Sequence, residues 1–100
     1  MPKYAGQKSF RSPQMPEISR FYGIVIRMFF RENAPPHFHA SYGEEEALIS
    51  IETLSVISGR LSPRSLGLVV EWASLHRDEL KKNWNKVSSY EQPDKIEPLK

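Results

Sequence analysis

Residues 20–30 read Arg-Phe-Tyr-Gly-Ile-Val-Ile-Arg-Met-Phe-Phe and dominate the fold prediction, because β-branched and aromatic side chains favour strands. Alternation with period two divides this segment into two faces. The face that we predict to be the core side carries Tyr22, Ile24, Ile26, Met28 and Phe30. The opposite face carries Phe21, Gly23, Val25, Arg27 and Phe29, and is apolar except for one charge.

Three further strand patterns follow this segment. Residues 31–36 contain Asn33 and two prolines and predict a turn, and residues 37–42 then alternate again. Residues 47–52 and 55–61 read as a third and a fourth strand, the last one ending near Gly59. The sequence therefore predicts a four-stranded antiparallel meander.

A helix is predicted after the strands. Ser62 can cap it and Pro63 suits its first position, because the missing N–H of proline costs nothing there. An apolar stripe at spacings of three and four then runs to about Val87. We predict an α+β fold over residues 15–88, with the meander packed against one long C-terminal amphipathic helix. Residues 1–14 are expected to be a disordered leader or an added extension, and residues 89–100 an extended tail that docks through Ile96 and Leu99.

Composition excludes several function classes. The chain has no cysteine, so disulfides, thiolate metal sites and thiol nucleophiles are ruled out. The longest apolar run is broken by Arg27 and is far shorter than the roughly 20 residues that a membrane helix needs. Residues 15–88 carry nine cations and nine anions, so the basic pI of about 9.0 does not by itself indicate nucleic-acid binding. We expect a cytoplasmic protein without membrane contact.

Several motifs together resemble the small prokaryotic family called domain of unknown function 4160. They are Ile-Ser-Arg-Phe-Tyr-Gly-Ile at 18–24, Pro-Pro-His-Phe-His at 35–39, Glu-Trp at 71–72, Asn-Trp at 83–84 and Ile-Glu-Pro-Leu at 96–99. The resemblance covers residues 15–100, and family members typically open with Met-Pro, which corresponds to Met15-Pro16. It implies a gene placed beside that of another small protein, an arrangement similar to toxin and antitoxin modules. It implies no catalytic residue.

His37 and His39 are the candidate catalytic residues. If the apolar faces of the first two predicted strands align, the numbers of two residues that pair across the hairpin add up to about 68. Phe29 then faces His39, and Arg31 lies near His37. Two imidazoles beside arginines are the groups that a metal-independent ribonuclease needs for proton transfer and for binding phosphate. We therefore predict a toxin-like effector that acts on RNA, with substrate binding by Arg20, Arg27 and Arg31.

Alternatives to the ribonuclease hypothesis stay open. A metal site would require a third ligand, for which only Glu44 and Glu46 are near in sequence, so we predict no metal and no cofactor. The histidines can also be structural, packed on Phe29. His76 lies on the inner stripe of the helix and is predicted to be a core residue.

The rival function is a non-enzymatic domain that binds the neighbouring gene's product. The face holding Phe21, Val25 and Phe29 would then be exposed and would contact this partner or a second copy of the chain in a homodimer.

Overall fold

The computed structural model describes residues 16–100 and contains one antiparallel sheet followed by two helices. The strands lie in the order of the sequence, so the sheet is a meander. The elements are β1 Glu17–Phe21, β2 Ile24–Arg27, β3 His37–Tyr42, β4 Glu45–Ser50, β5 Val56–Gly59, α1 Pro63–Leu75 and α2 Arg77–Ser88. The α+β class and the meander are confirmed, whereas the expected four strands are five and the expected single helix is two. The prediction for residues 1–14 lies outside the described residues.

The predicted first strand is a hairpin. Tyr22 and Gly23 have φ angles of 51° and 82°, which form a two-residue turn between β1 and β2. The turn reverses the chain, so the alternation of buried and exposed side chains in β2 does not continue into β1. Phe21 is consequently buried at 5% exposure and Tyr22 is 56% exposed, opposite to the prediction. The assignment of Ile24 and its neighbours in β2 to the core is confirmed.

The register between β2 and β3 differs from the prediction by two residues. Arg27 pairs with His39 and Ile26 with Ala40, so paired positions sum to 66. The predicted pairing of Met28 with Ala40 is therefore wrong. The connection at residues 28–36 is too long and too rich in proline to act as a tight turn, and it does not fix the register. Because the slip is even, the side chains of β2 and β3 stay on their predicted faces.

The helical region begins as predicted and then breaks. Ser62 caps α1, its Oγ accepting a hydrogen bond from the N–H of Ser65 at 3.3 Å, and Pro63 occupies the first turn. At His76 the backbone leaves helical geometry, with φ −128°, and its N–H bonds to the carbonyl of Ala73, three residues back. This single tight turn ends α1 at Leu75, and α2 begins at Arg77.

The core lies between one face of the sheet and the two helices, α2 contributing Leu80 and Val87. Trp72 is fully buried, and its ring lies 5.4 Å from Phe21 and 5.9 Å from Phe38, measured between centroids. Large apolar side chains of this kind contribute most of the burial free energy of a small domain. The other face of the sheet carries the polar residues, including Arg27, His39 and Glu46, and it holds the candidate site.

The tail lies along the domain as an extended strap. Ile96 is buried and its N–H donates to the carbonyl of Ile18 in β1 at 2.8 Å. The indole N–H of Trp72 donates to the carbonyl of Glu97 at 2.8 Å. The tail therefore covers an edge of the sheet and closes one side of the core. Within residues 16–100, no helix has the length and apolar character required to cross a membrane.

Candidate metal centre

The centre is formed where the β2–β3 connection folds over the start of β3. His37 and His39 are two residues apart on this strand, so their side chains project from the same face of the sheet. Each is only 6% exposed. Burial of two imidazoles side by side requires partners for four ring nitrogens, and all four have one.

One carboxylate oxygen meets both rings. Oε1 of Glu32, in the connection before β3, lies 2.9 Å from Nε2 of His37 and 2.8 Å from Nε2 of His39. The remaining ring nitrogens face other oxygens: Nδ1 of His37 lies 2.8 Å from the carbonyl of Pro35, and Nδ1 of His39 lies 2.9 Å from Oε2 of Glu46. The two Nε2 atoms and Oε1 therefore converge on one point.

The partners determine which ring nitrogens carry protons. The carbonyl of Pro35 can only accept, so Nδ1 of His37 carries the proton, and the Nε2 of the neutral ring presents a lone pair to Glu32. His39 lies between two carboxylates and, when neutral, has one proton for both. Four contacts to acceptors therefore share two protons. Further protons on the rings or on the carboxyls of Glu32 and Glu46, or a bound cation, would satisfy the remaining contacts.

A divalent cation can satisfy these groups. Two charged imidazoles at this burial would lose most of their hydration, which is expensive even beside carboxylates. A divalent ion between the two Nε2 atoms and Oε1 would be bound by two lone pairs and one anionic oxygen. Imidazole nitrogen and carboxylate oxygen are ordinary ligands of Zn²⁺ and Fe²⁺.

The spacing of the three ligand atoms suits such an ion. They lie within 4.8 Å of one another. Ligands of a tetrahedral zinc ion lie about 3.3 Å apart, only slightly more than the 2.8 and 2.9 Å between the Nε2 atoms and Oε1. The side chain of Glu32 is 28% exposed and stands in a loop, so a small outward shift makes room for the ion.

Aromatic rings hold the imidazoles in place. Phe29 stacks on His39 with ring centroids 4.1 Å apart and planes 5° apart, and Trp84 of α2 contacts His37 at 5.1 Å. The predicted packing of Phe29 on His39 is confirmed, although the register that led to it was not. An apolar shell of this kind fixes ligand orientation and limits the access of water.

Two of the three predicted substrate-binding arginines lie near the histidines, and the third, Arg20, does not. Arg27 pairs with His39 across β2 and β3. Arg31 is exposed, its guanidinium 5.3 Å from the ring centre of Tyr90, and it lines the same cavity as His37. Arg20 instead forms an ion pair with Glu17 at 2.8 Å. The hydrogen bond from Arg20 lowers the pKa of Glu17 and raises the pKa of Arg20 itself.

A cavity of about 380 Å³ opens beside the centre. Two of the three ligands, Glu32 and His37, contribute to its wall. The other side is formed by Leu48 and Ile57, from β4 and β5. A molecule in this cavity can therefore reach an ion at the centre.

Glu32 is the residue that reasoning from sequence missed. The sequence prediction of no metal site rested on the lack of a third ligand other than Glu44 or Glu46. Glu44 lies exposed in the β3–β4 turn, and Glu46 bonds to the outer nitrogen of His39. The available signal was the spacing Glu-x4-His-x-His, which places a carboxylate before the strand that carries both histidines. His76, predicted to be a core residue, is half-buried, and its ring packs 5.7 Å from that of Trp72.

Comparison with known proteins gives one family. The family model described as Domain of unknown function (DUF4160) matches residues 23–85, which include β2 to β5, α1 and the three residues of the centre. No curated protein and no solved structure matches the chain significantly.

Proposed function

Because the chain belongs to the family described as domain of unknown function (DUF4160), a description that assigns no activity, we propose a function from the site itself. The domain binds one divalent transition-metal ion through Glu32, His37 and His39. The observation that supports this proposal is the convergence of two imidazole nitrogens and one carboxylate oxygen, all within 4.8 Å of one another and held by two buried histidines.

The ligand set is of the catalytic type. Structural zinc sites use four protein ligands, whereas catalytic sites use three and keep a position for water or substrate. Two histidines and one carboxylate also form the ligand set of non-haem iron(II) enzymes. The bound ion supplies Lewis-acid chemistry at the open position. Glu46 holds His39 through Nδ1, as carboxylates commonly do for metal-bound histidines.

In this proposal the ion replaces the bare imidazoles that the sequence suggested as acid and base. A ribonuclease of the metal-independent type needs ring nitrogens that can reach the substrate, and here all four already contact protein oxygens. The role of effector in a two-gene module is kept. Its chemistry is assigned to an ion that opens on a cavity rather than to His37 and His39 alone.

The second candidate, a domain that binds the neighbouring gene's product, is supported by a different surface from the one expected. Phe21 of the expected patch is buried against Trp72, so that patch does not form. β5 is instead an edge strand whose four residues are all exposed, including Val56 and Ile57. An edge of this kind can accept a strand from another chain.

Zinc titration of protein purified without an affinity tag tests the proposed function. We expect one Zn²⁺ bound per chain by calorimetry and by native mass spectrometry. Glu32→Gln should reduce the affinity by about 100-fold or more, because loss of even a supporting residue in such sites costs about 10- to 100-fold.

The matched control is Glu44→Gln, which removes an exposed carboxylate from the neighbouring turn and should leave the affinity unchanged. Absence of zinc binding by the folded wild-type protein would contradict the proposal. Equal zinc affinity of the two variants would contradict it as well.

A further inference from the structure

The cavity beside the metal centre has the size and the walls of a small-molecule site. Its volume of about 380 Å³ lies within the range of ligand pockets, about 300–1,000 Å³. One side is polar and comes from the β2–β3 connection, with Arg31 and Asn33. The other side is apolar and comes from Leu48 and Ile57. The metal ligands Glu32 and His37 also line this cavity.

Electrostatics determines the charge of the ligand. Arg31 and Glu32 are the charged side chains among the described residues that line the cavity, and their charges cancel. A divalent ion at the centre adds two positive charges, so a ligand in the cavity meets a net positive field. An oxygen anion can bind the ion and accept hydrogen bonds from Arg31, whose planar guanidinium suits carboxylates and phosphates.

The apolar wall adds a second requirement. Ile57 is 44% exposed, although it is a large aliphatic side chain, and Leu48 beside it is half-buried. The register of β4 and β5 shifts between Leu48 and Ile49, which leaves Ile57 as the extra residue of β5, and both Leu48 and Ile57 line the cavity. An apolar group laid against them removes both from water, which is favourable.

We propose that this cavity binds a small organic anion, whose carboxylate or phosphate group reaches the metal ion and Arg31 while its apolar part covers Leu48 and Ile57. The proposal rests on the proposed metal function, because the positive field comes from the ion. It names the class of substrate or ligand for that centre.

Cobalt-substituted protein tests this ligand class, because the visible absorption of Co²⁺ changes when an anion enters its coordination sphere. The probes are two matched pairs: hexanoate with acetate, and phenyl phosphate with inorganic phosphate. We expect the apolar member of at least one pair to bind about tenfold more tightly, which corresponds to burial of about two methylene groups. The pair with the tighter binding identifies the anionic group.

Two substitutions locate the binding. Ile57→Ser should abolish the preference for the apolar probe and leave cobalt affinity unchanged. Its control is Val56→Ser, since Val56 is similarly exposed at 38% but does not line the cavity.

Arg31→Gln should weaken the binding of the anions by about tenfold, as expected for loss of a charged hydrogen bond. Arg60→Gln, at another exposed arginine, should not.

The outcomes separate this inference from the proposed function. If no cobalt binds, both are overturned. If cobalt binds and none of the four anions changes its spectrum, the metal function stands and the ligand inference is overturned. Equal binding of the anions to metal-free protein, or an apolar preference that survives Ile57→Ser, also overturns it.

Discussion

Single residues determine what the centre can do. His37 and His39 are identifiable in the sequence because they alternate on one strand, whereas the oxygen that joins them comes from a loop. Glu32 precedes His37 by five residues, and the sequence does not predict the shape of the turn between them. Periodicity describes strands and helices but not loops, so the position of Glu32 required the structure.

Glu46 is expected to tune the centre without binding the ion. Its carboxylate accepts the Nδ1 proton of His39 and orients the ring, so Glu46→Ala should weaken zinc binding by about 10- to 100-fold. Glu46→Gln should weaken it less, because the amide oxygen still accepts this proton. Zinc titration of both variants, with Glu44→Gln as the control, measures the difference. Equal affinity of Glu46→Ala and wild-type protein would show that Glu46 does not support the centre.

At the scale of elements, hydrophobic patterns predicted faces better than boundaries. The core assignments of Ile24, Ile26 and Met28 hold because alternation reports burial directly. The Tyr22-Gly23 turn was missed because it lies inside an apolar run that continues on both sides. The helix break at His76 was missed because the apolar stripe continues through it in register, from Ala73 to Leu80.

Asn83 of α2 holds the strap formed by the tail through two hydrogen bonds. Asn83 is 1% exposed, its amide group donates to the carbonyl of Asp94, and its oxygen accepts from the N–H of Asp94, both at 2.9 Å. Asn83→Ala should lower the free energy of unfolding by about 1–3 kcal/mol, because it removes both hydrogen bonds.

Urea unfolding monitored by circular dichroism measures this change. Asn85→Ala is the control, since Asn85 is exposed on the same helix and should cost far less. Equal destabilisation by the two substitutions would mean that the contact with Asp94 does not hold the strap.

The strap should also loosen in acid. The hydrogen bond and charge of Lys86, at 2.9 Å, lower the pKa of Asp94 in the folded protein. A carboxyl with a lowered folded pKa stabilises the fold above its unfolded pKa of about 3.9, and this contribution is lost as the pH falls through the folded value. Asp94→Asn keeps the backbone contacts to Asn83 but removes this contribution.

Urea unfolding at pH 6 and at pH 3 tests the expectation. The wild-type protein should lose more stability between these values than Asp94→Asn does. Glu91→Gln, at an exposed carboxylate without an ion pair among the described residues, should behave like the wild type. An identical loss in Asp94→Asn and wild-type protein would contradict the role of the pair.

At the scale of the whole molecule, charge does not favour RNA over other ligands. Residues 16–100 carry 11 Lys and Arg side chains and 12 Asp and Glu side chains, so a general attraction to phosphate chains is absent from this part of the protein. What composition could not show is the local positive field of the proposed ion, which would be bound by Glu32, His37 and His39.

Metal binding should stabilise the entire domain, because the ligands come from β3 and from a loop that packs on α2. The N–H of Arg31, next to Glu32, donates to the carbonyl of Val87 at 3.1 Å. Zinc at 100 times its dissociation constant should add about 2.7 kcal/mol to the free energy of unfolding. For a domain of this size, each kcal/mol raises the Tm by about 4–8 °C.

Thermal unfolding with zinc, and again after a chelator is added, measures this shift. His39→Ala should show no rise in Tm with zinc, and the chelator should reverse the rise in the wild-type protein. A rise of equal size in His39→Ala would place the ion elsewhere.

The most direct test of the metal centre is X-ray absorption at the zinc edge, on wild-type protein loaded with one Zn²⁺ per chain and dialysed. We expect two imidazole nitrogens and one carboxylate oxygen at about 2.0–2.2 Å, with the outer scattering typical of imidazole rings. Loss of one imidazole in His37→Ala should be visible in the same spectrum. A zinc ion that is lost on dialysis, or one surrounded only by oxygen, would contradict the assignment of Glu32, His37 and His39 as its ligands.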